Sequence, residues 1–225
     1  MDGELHIKRA VCARIPTSAG SFQLCVYDNN HDDKEHLALI MGDVEEQEGV
    51  LVRIHSECFT GDVLGSRRCD CGEQLQRSME LVAEDQQGVV IYLRQEGRGI
   101  GLSEKLRAYN LQDDGLDTID ANLALGHAAD ARDYSMAAAI LLDLGVRSVR
   151  LMTNNPDKIQ DLQKLGVEVM ERVPLEATVY PDNAAYLLTK AQRMNHLLDP
   201  VSLAGMLVGK LDLQAGRNGR TNGSH

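Results

Sequence analysis

The sequence has too few cysteines for a disulfide framework and no apolar stretch long enough to cross a membrane. Its five cysteines in 225 residues are an odd and modest number, unlike the pattern of small secreted proteins. The stretch MDGELHIKRAVCARIP contains no apolar run of the length that a signal peptide needs. No run of about 18 apolar residues occurs anywhere, which predicts no contact with a membrane. We therefore expect a cytoplasmic protein with reduced thiols.

Positive charge is also scarce. Acidic residues outnumber Lys and Arg by 34 to 23, and the formal net charge is −11 at pH 7. Binding to a phosphate backbone needs a broad basic surface, so this balance predicts no nucleic-acid partner. It leaves open a small anionic ligand held by a local cluster of arginines.

The first half of the chain is rich in predicted strands. Short apolar or alternating runs predict strands at 22–28, 35–43, 50–58 and 89–95. Helical spacing predicts two helices, 72–87 and 103–115. We expect Ser103 to open the second helix and Gly115 to close it.

The second half alternates helices and strands. Two helical segments end in Leu-Gly-Val at Gly145 and Gly166, and each passes into a strand. Such alternation predicts parallel pairing. A last helix is predicted over 183–198. We expect a mixed α/β (α+β) fold with one catalytic domain over 1–200 and a disordered tail over 201–225.

Three cysteines crowd into the stretch CFTGDVLGSRRCDC with the spacing C-x10-C-x-C. A disulfide between Cys69 and Cys71 would close a strained small ring and would leave Cys58 unpaired. A metal site is the better interpretation, because soft sulfur ligands favour zinc. If His55 were the fourth ligand, the zinc site would be structural. If water were the fourth ligand, the site would be open for catalysis. The spacing of the cysteines does not decide between these two kinds of site. Cys12 and Cys25 lie in apolar runs and are predicted to be small core residues.

Three further motifs carry polar side chains in predicted loops. The stretch RQEGRGIGL (94–102) places arginines in a Gly-rich turn before a helix, which suits a phosphate but matches a dinucleotide loop only weakly. In TNNPDK (153–158) an asparagine caps a helix with Pro156 at its first position. The charged DARDY segment is either a solvated loop or an oriented functional group.

Taken together, HSECFTGDVLGSRRCDCG, RQEGRGIGL, KLRAYNLQ, DARDY, LMTNNPDK and ERVPL resemble GTP cyclohydrolase II, the enzyme that opens riboflavin biosynthesis. The resemblance runs from about residue 5 to residue 199. It implies hydrolysis of GTP to 2,5-diamino-6-(5-phosphoribosylamino)pyrimidin-4(3H)-one, with release of formate and pyrophosphate. A dihydroxybutanone phosphate synthase domain is not expected in front, because too few residues precede the first motif.

The resemblance also implies the roles of individual residues. Cys58, Cys69 and Cys71 match the ligands of one Zn²⁺ per chain, whose water attacks guanine C8, and Mg²⁺ accompanies the triphosphate. Asp130 matches a proton acceptor, and Tyr109 a tyrosine that donates or relays a proton near the ring.

Arg132 matches a residue proposed to attack the α-phosphate. Because a guanidinium with a pKa above about 12 is a poor nucleophile, we expect it instead to stabilise the phosphoryl transition state. The implied GTP contacts are Arg53, Ile54, His55, Ser56, Glu57, Gln74, Glu96, Gly97, Arg98, Thr118, Thr153 and Lys158. A homodimer is also implied.

Three alternatives remain open at this point. A variant of the family would stop at the ring-opened formamidopyrimidine. A zinc deaminase-like hydrolase would release ammonia, and the H-x-E of His55 and Glu57 occurs in such enzymes, although their P-C-x-x-C is absent here. A non-catalytic protein with structural zinc would bind GTP without turnover.

Overall fold

The computed structural model describes residues 4–128, 132–176 and 178–198. The predicted tail over 201–225 and the candidate proton acceptor Asp130 lie outside these ranges. Within them, seven strands form one sheet in the spatial order β1-β2-β3-β5-β4-β6-β7. The strands are β1 (Ile7–Pro16), β2 (Ser21–Asn29), β3 (His36–Met41), β4 (Val50–Ser56), β5 (Gly88–Leu93), β6 (Ser148–Met152) and β7 (Glu168–Val173).

Helices connect and cover the strands. Those in the described ranges are α1 (Phe59–Asp62), α2 (Cys71–Asp85), α3 (Leu102–Asp113), α4 (Thr118–Ala124), α5 (Ser135–Asp143), α6 (Pro156–Lys164) and α7 (Ala184–Arg193). A short 3-10 helix over Glu96–Gly99 precedes α3. None of these helices has the length and apolar character needed to span a bilayer.

The sheet is antiparallel on one side and parallel on the other. Strands β1, β2, β3 and β5 pair antiparallel, whereas β4 pairs in parallel with both β5 and β6, and β6 with β7. The predicted mixed fold class is therefore confirmed. The parallel pairing of β6 with β7 was indicated by the helix–strand alternation of the second half, whereas that of β4 with β5 was not predicted. Gly145 and Gly166 have φ values of 69° and 86°, the left-handed conformation expected after a helix end.

Both faces of the central strands are buried, with alternate residues on opposite faces. Val50, Val52 and Ile54 of β4 pack in one core cluster, which includes residues of α5. Leu51 faces the other cluster, which includes Val82 of α2. Arg53 and His55 share the Leu51 face by the same alternation, so two polar side chains point towards α2.

Several predicted boundaries are wrong by a few residues. Helix α2 ends at Asp85, before the predicted 87, because Gln86 takes a left-handed conformation with φ 58°. Helix α3 begins at Leu102 after Gly101, so Ser103 lies inside the helix and does not cap it. Strand β1 and helix α4 were not predicted.

The expectation that all five thiols are reduced is wrong for one pair. Cys12 of β1 and Cys25 of β2 form a disulfide. They lie directly opposite each other in the antiparallel register, with Cα atoms 4.1 Å apart. The sequence does not reveal strand register, so this pairing was not foreseen. Cys25 is fully buried, in agreement with its predicted core role.

Candidate active site

The loops that carry the predicted motifs leave the sheet at one edge. Parallel strands β4, β5 and β6 end at Ser56, Leu93 and Met152, and the Cys58–Cys71, 94–101 and 153–155 segments follow them. Ligands of open α/β sheets bind in the crevice outside these carboxyl ends. The topology therefore brings motifs up to about a hundred residues apart in sequence to one place.

Three sulfur atoms form the centre of this crevice. The Sγ atoms of Cys58, Cys69 and Cys71 all lie within 4.8 Å of one another, and those of Cys58 and Cys69 are 3.6 Å apart. Two ligands 2.3 Å from a tetrahedral ion would be about 3.8 Å apart. A Cβ added at Gly61 would stand 3.1 Å from two of these sulfurs, so a larger residue there would crowd the cluster. The donor set and its spacing fit a metal such as zinc.

The Cys58 thiolate is stabilised by the other two thiols and by a buried lysine. Hydrogen bonds from Cys69 and Cys71 lower the pKa of Cys58, and the ammonium of Lys105, whose Nζ is 3.1 Å from Cys58 Sγ, adds to this. Burial opposes the charge on Lys105, but Cys58 and Glu96 outweigh it and raise its pKa. A thiolate at Cys58 is the form that binds a metal ion.

His55 does not join the sulfur cluster. Its Nε2 lies 3.0 Å from Oδ1 of Asp62, and among the described residues no histidine or carboxylate completes the cysteine group. Burial lowers the pKa of His55, so the ring is neutral and donates its Nε2–H to Asp62. Within the described part of the chain, the arrangement therefore disfavours the closed four-ligand site.

Asp62 fastens the first cysteine to the sheet. Its carboxylate accepts hydrogen bonds from the backbone N–H of Cys58 at 2.9 Å, from His55, and from the Tyr92 hydroxyl at 2.8 Å. These donors come from the start of α1, from β4 and from β5. One buried carboxylate thus fixes the entry of the metal-binding loop.

Glu96 links the Gly-rich loop to the same place. It accepts hydrogen bonds from the backbone N–H of Phe59 at 2.6 Å and of Gly97 at 2.7 Å, and from Lys105 Nζ at 2.8 Å. Next to it, Arg98 has a left-handed backbone with φ 62°, which is costly for a residue with a side chain. The loop is thus held in a specific shape beside the sulfurs.

A cleft, here named the sulfur cleft, opens over the cluster. Tyr109 of α3 lies in its wall, with its hydroxyl 3.5 Å from Thr60 Oγ1, and burial raises its pKa, so it keeps its proton. The cleft lining includes the predicted residues Ser56, Glu57, Cys58, Cys69, Cys71, Glu96, Gly97, Arg98, Tyr109, Thr118 and Arg132.

A second cleft, here named the cationic cleft, lies beside the first. Ser56, Cys71, Arg98, Arg132 and Tyr186 line both, so the two are continuous. The predicted residues that line it are Arg53, His55, Ser56, Cys71, Gln74, Arg98, Arg132, Thr153 and Lys158. No carboxylate occurs in this lining within the described ranges.

Four buried polar atoms in this region lack a partner among the described residues. They are Nε of Arg53, Nδ1 of His55, Oγ of Ser56 and Nε2 of His196. All four residues line the cationic cleft. Buried polar groups are normally hydrogen-bonded, so unpaired ones here indicate that a polar ligand completes them.

Not every predicted residue reaches a cleft through its side chain. Ile54 is fully buried in the core, and only its backbone oxygen takes part, accepting a hydrogen bond from Lys158 Nζ at 2.9 Å. Glu57 lines the sulfur cleft, and its carboxylate also accepts a hydrogen bond from Arg94 Nε at 3.0 Å.

Sequence reasoning missed several cleft residues. Lys105 stands inside the KLRAYNLQ motif, where no apolar pattern marked it, although it is one of the two buried residues of α3. Tyr186, Lys190 and His196 belong to α7 and the segment after it, where no sequence signal pointed to a site.

Comparisons with known proteins agree with this arrangement. The family model described as GTP cyclohydrolase II matches residues 8–174. The riboflavin biosynthesis protein RibBA of Mycobacteroides abscessus is 55% identical over 198 residues, which are 86% of this chain and 48% of that protein. RibBA of Chlamydia trachomatis is 55% identical over 188 residues, 83% of this chain and 44% of that protein. The chain thus spans about half the length of the curated relatives it matches.

One solved structure is only distantly similar. RibBX, a two-domain 3,4-dihydroxy-2-butanone 4-phosphate synthase from A. baumannii, is 23% identical, with a TM-score of 0.39 over 65% of this chain and 34% of that one. A likeness at this level indicates nothing about the site. The matched motifs, the fold that gathers them and relatives at more than half identity show that this chain belongs to the GTP cyclohydrolase II family of riboflavin biosynthesis.

Proposed function

We propose that the chain hydrolyses GTP to 2,5-diamino-6-(5-phosphoribosylamino)pyrimidin-4(3H)-one, formate and pyrophosphate, with Zn²⁺ and Mg²⁺ as cofactors. The observation that carries the proposal is the continuity of a three-sulfur cleft with a cleft lined by cations. A purine ring and a triphosphate need these two environments side by side. Family membership supports the same reaction.

In the sulfur cleft, Cys58, Cys69 and Cys71 would hold the zinc ion. Zinc bound by three protein ligands supplies a Lewis acid that keeps one position open for water and lowers the pKa of that water. Lys105 orients and stabilises the Cys58 thiolate. Tyr109, protonated at neutral pH, donates a proton to the opening imidazole ring, and Asp130 is proposed as the proton acceptor.

In the cationic cleft, Arg53, Lys158 and Thr153 would bind the triphosphate together with Mg²⁺. Arg132 and Arg98 line both clefts, which suits groups at the α-phosphate, between the base and the leaving pyrophosphate. A fixed guanidinium there stabilises the charge that develops during phosphoryl transfer. The remaining proposed GTP contacts are Ile54, through its backbone, His55, Ser56, Glu57, Gln74, Glu96, Gly97 and Thr118. We also propose that the chain forms a homodimer and acts in the cytoplasm.

The test is an incubation of the purified protein with GTP, Zn²⁺ and Mg²⁺, in which formate, pyrophosphate, ammonia and product mass are measured. Equal release of formate and pyrophosphate supports the proposal. Pyrophosphate with a product that retains the formyl group indicates the formamidopyrimidine variant. Release of ammonia would indicate a deaminase. Binding of GTP without any product would indicate a non-catalytic protein.

Arg132→Ala tests the proposed phosphate role. Turnover should fall at least about 100-fold, as expected when a group that stabilises transition-state charge is removed, while zinc content is unchanged. The matched control is Arg77→Ala, since Arg77 lies on the exposed face of α2 and pairs only with Glu80 and Glu84 there. Near-normal turnover of Arg132→Ala would contradict the assignment.

A further inference from the structure

A buried ion pair joins the last described helix to the metal-binding loop. Nζ of Lys190 on α7 lies 3.0 Å and 3.2 Å from the two carboxylate oxygens of Asp70. The side chains of Lys190 and Asp70 are 9% and 0% exposed. Asp70 stands between Cys69 and Cys71, whereas α7 lies beyond the segment that the family model matches. The pair therefore connects the cluster to a part of the chain to which nothing assigns a role.

The same carboxylate contacts the cationic cleft through Gln74, which lines it. Gln74 donates from Nε2 to Oδ2 of Asp70 at 2.6 Å, and its Oε1 accepts a hydrogen bond from Nη2 of Arg53 at 2.6 Å. Arg53 also donates to the backbone oxygen of Met152 at 2.9 Å. The Nε of Arg53 is left without a partner among the described residues. A continuous chain of contacts thus runs from Lys190 to a guanidinium beside the proposed triphosphate site.

We propose that Lys190 is a positioning residue that acts through Asp70 on both sides of the site. Its charge allows Asp70 to be buried, and Asp70 in turn fixes the turn between Cys69 and Cys71 and orients Gln74 and Arg53. Removing one partner of a buried pair leaves an uncompensated charge, which must then draw in water or move. Movement of Asp70 would displace two adjacent metal ligands. This inference rests on the proposed zinc and GTP sites.

A direct contact is the competing explanation. Lys190 lines the cationic cleft, so its ammonium could bind phosphate oxygens without acting through Asp70. The two explanations differ in what happens to metal binding in the absence of nucleotide. Only the positioning role makes zinc affinity depend on Lys190.

The experiment compares Lys190→Met, Asp70→Asn and the double variant with the unchanged protein. Zinc affinity is measured by chelator competition without nucleotide, and kcat and KM for GTP are measured separately. Lys190→Met should weaken zinc binding at least tenfold, in the range found when groups that orient metal ligands are removed, and lower kcat. The double variant should recover most of the zinc affinity, because a neutral amide can be buried there and can still accept from Gln74. The control is Lys164→Met, whose pair with Asp161 is exposed and whose residues line neither cleft, and it should behave like the unchanged protein.

Normal zinc affinity of Lys190→Met would overturn the proposal. If the KM for GTP were raised while zinc affinity stayed normal, Lys190 would instead contact the nucleotide directly. A double variant as impaired in zinc binding as Lys190→Met would also contradict action through Asp70. If Lys190→Met does not fold, the double variant decides: a folded, zinc-binding double variant supports the pair, and an unfolded one opposes it. Since zinc affinity is measured without turnover, this outcome stands even if the unchanged protein releases no formate from GTP.

Discussion

The three clustered cysteines occupy different positions relative to the helices. Cys58 directly precedes α1, Cys69 lies in a turn, and Cys71 is the first residue of α2. The ammonium of Lys105 beside Cys58 favours the thiolate there. The residues that make the cluster suitable for a metal are therefore not only the ligands but also their close neighbours.

Cys71→Ser should remove zinc and formate release together. A serine hydroxyl is a harder and less acidic ligand than a thiol, so zinc affinity should fall by more than about 100-fold. Pyrophosphate release can continue slowly, because the cationic cleft keeps its own side chains. Metal content, formate and pyrophosphate are measured on one sample.

Circular dichroism and a GTP-binding measurement serve as the control for folding of Cys71→Ser. Normal formate release from a folded variant without zinc would contradict a catalytic role for the cluster. The three cysteines would then be structural.

At the level of elements, short loops are held in place by buried carboxylates. Asp62 ties α1 to β4 and β5, and Glu96 ties the 3-10 helix to α1 and α3 through Phe59 and Lys105. These contacts join segments that no periodic pattern connects. They explain how a four-residue helix can present a ligand at a defined position.

Asp62→Asn should destabilise the protein by about 2–4 kcal/mol, because an amide cannot accept from three buried donors and its own N–H groups would face them. Urea unfolding gives the free energy of unfolding, and chelator competition should show weaker zinc binding. Asp161→Asn is the matched control on the exposed surface of α6, with an expected change within about 0.5 kcal/mol. Equal stability of the two variants would contradict the role given to Asp62.

The element predictions were most successful where one signal dominated. The apolar strands β4 and β5 and the capped helix α6, with Asn155 at its N-cap and Pro156 at its first position, were predicted correctly. Strand β1 was missed because both of its faces are largely exposed and it shows no apolar alternation. Helix α4 was missed because its seven residues are too few to show a helical period, although Asp117 caps it.

For the molecule as a whole, buried histidines predict lower stability in mild acid. Burial lowers the pKa of His36 and of His55, and burial with nearby cations lowers that of His196 to about 2. The unfolded chain, whose histidines titrate near pH 6.5, binds protons that the folded protein does not. Stability should therefore fall as the pH drops below about 6.5.

His36→Gln should flatten this loss of stability. Each such histidine contributes a slope of at most about 1.4 kcal/mol per pH unit. His36 faces Asp32 and the backbone N–H of Arg94, and the charges of Lys34 and Arg94 add to the effect of burial in lowering its pKa. Urea unfolding at pH 7, 6 and 5 measures the slope for the unchanged protein and the variant. An identical slope for both proteins would show that His36 takes up its proton as readily in the folded protein as in the unfolded chain.

The sequence by itself determined the family, the three cysteines as a candidate metal site and the mixed fold class, because cysteine spacing, long motifs and helix–strand alternation are local properties. Only the tertiary structure decided which segments meet: the Cys12–Cys25 register, the turn of His55 towards Asp62, and the contact of Lys190 with Asp70. Those contacts join residues 13, 7 and 120 positions apart. Strand register and the packing of α7 over the cleft set them, and both depend on the burial of side chains from the whole chain, which no short stretch of sequence encodes.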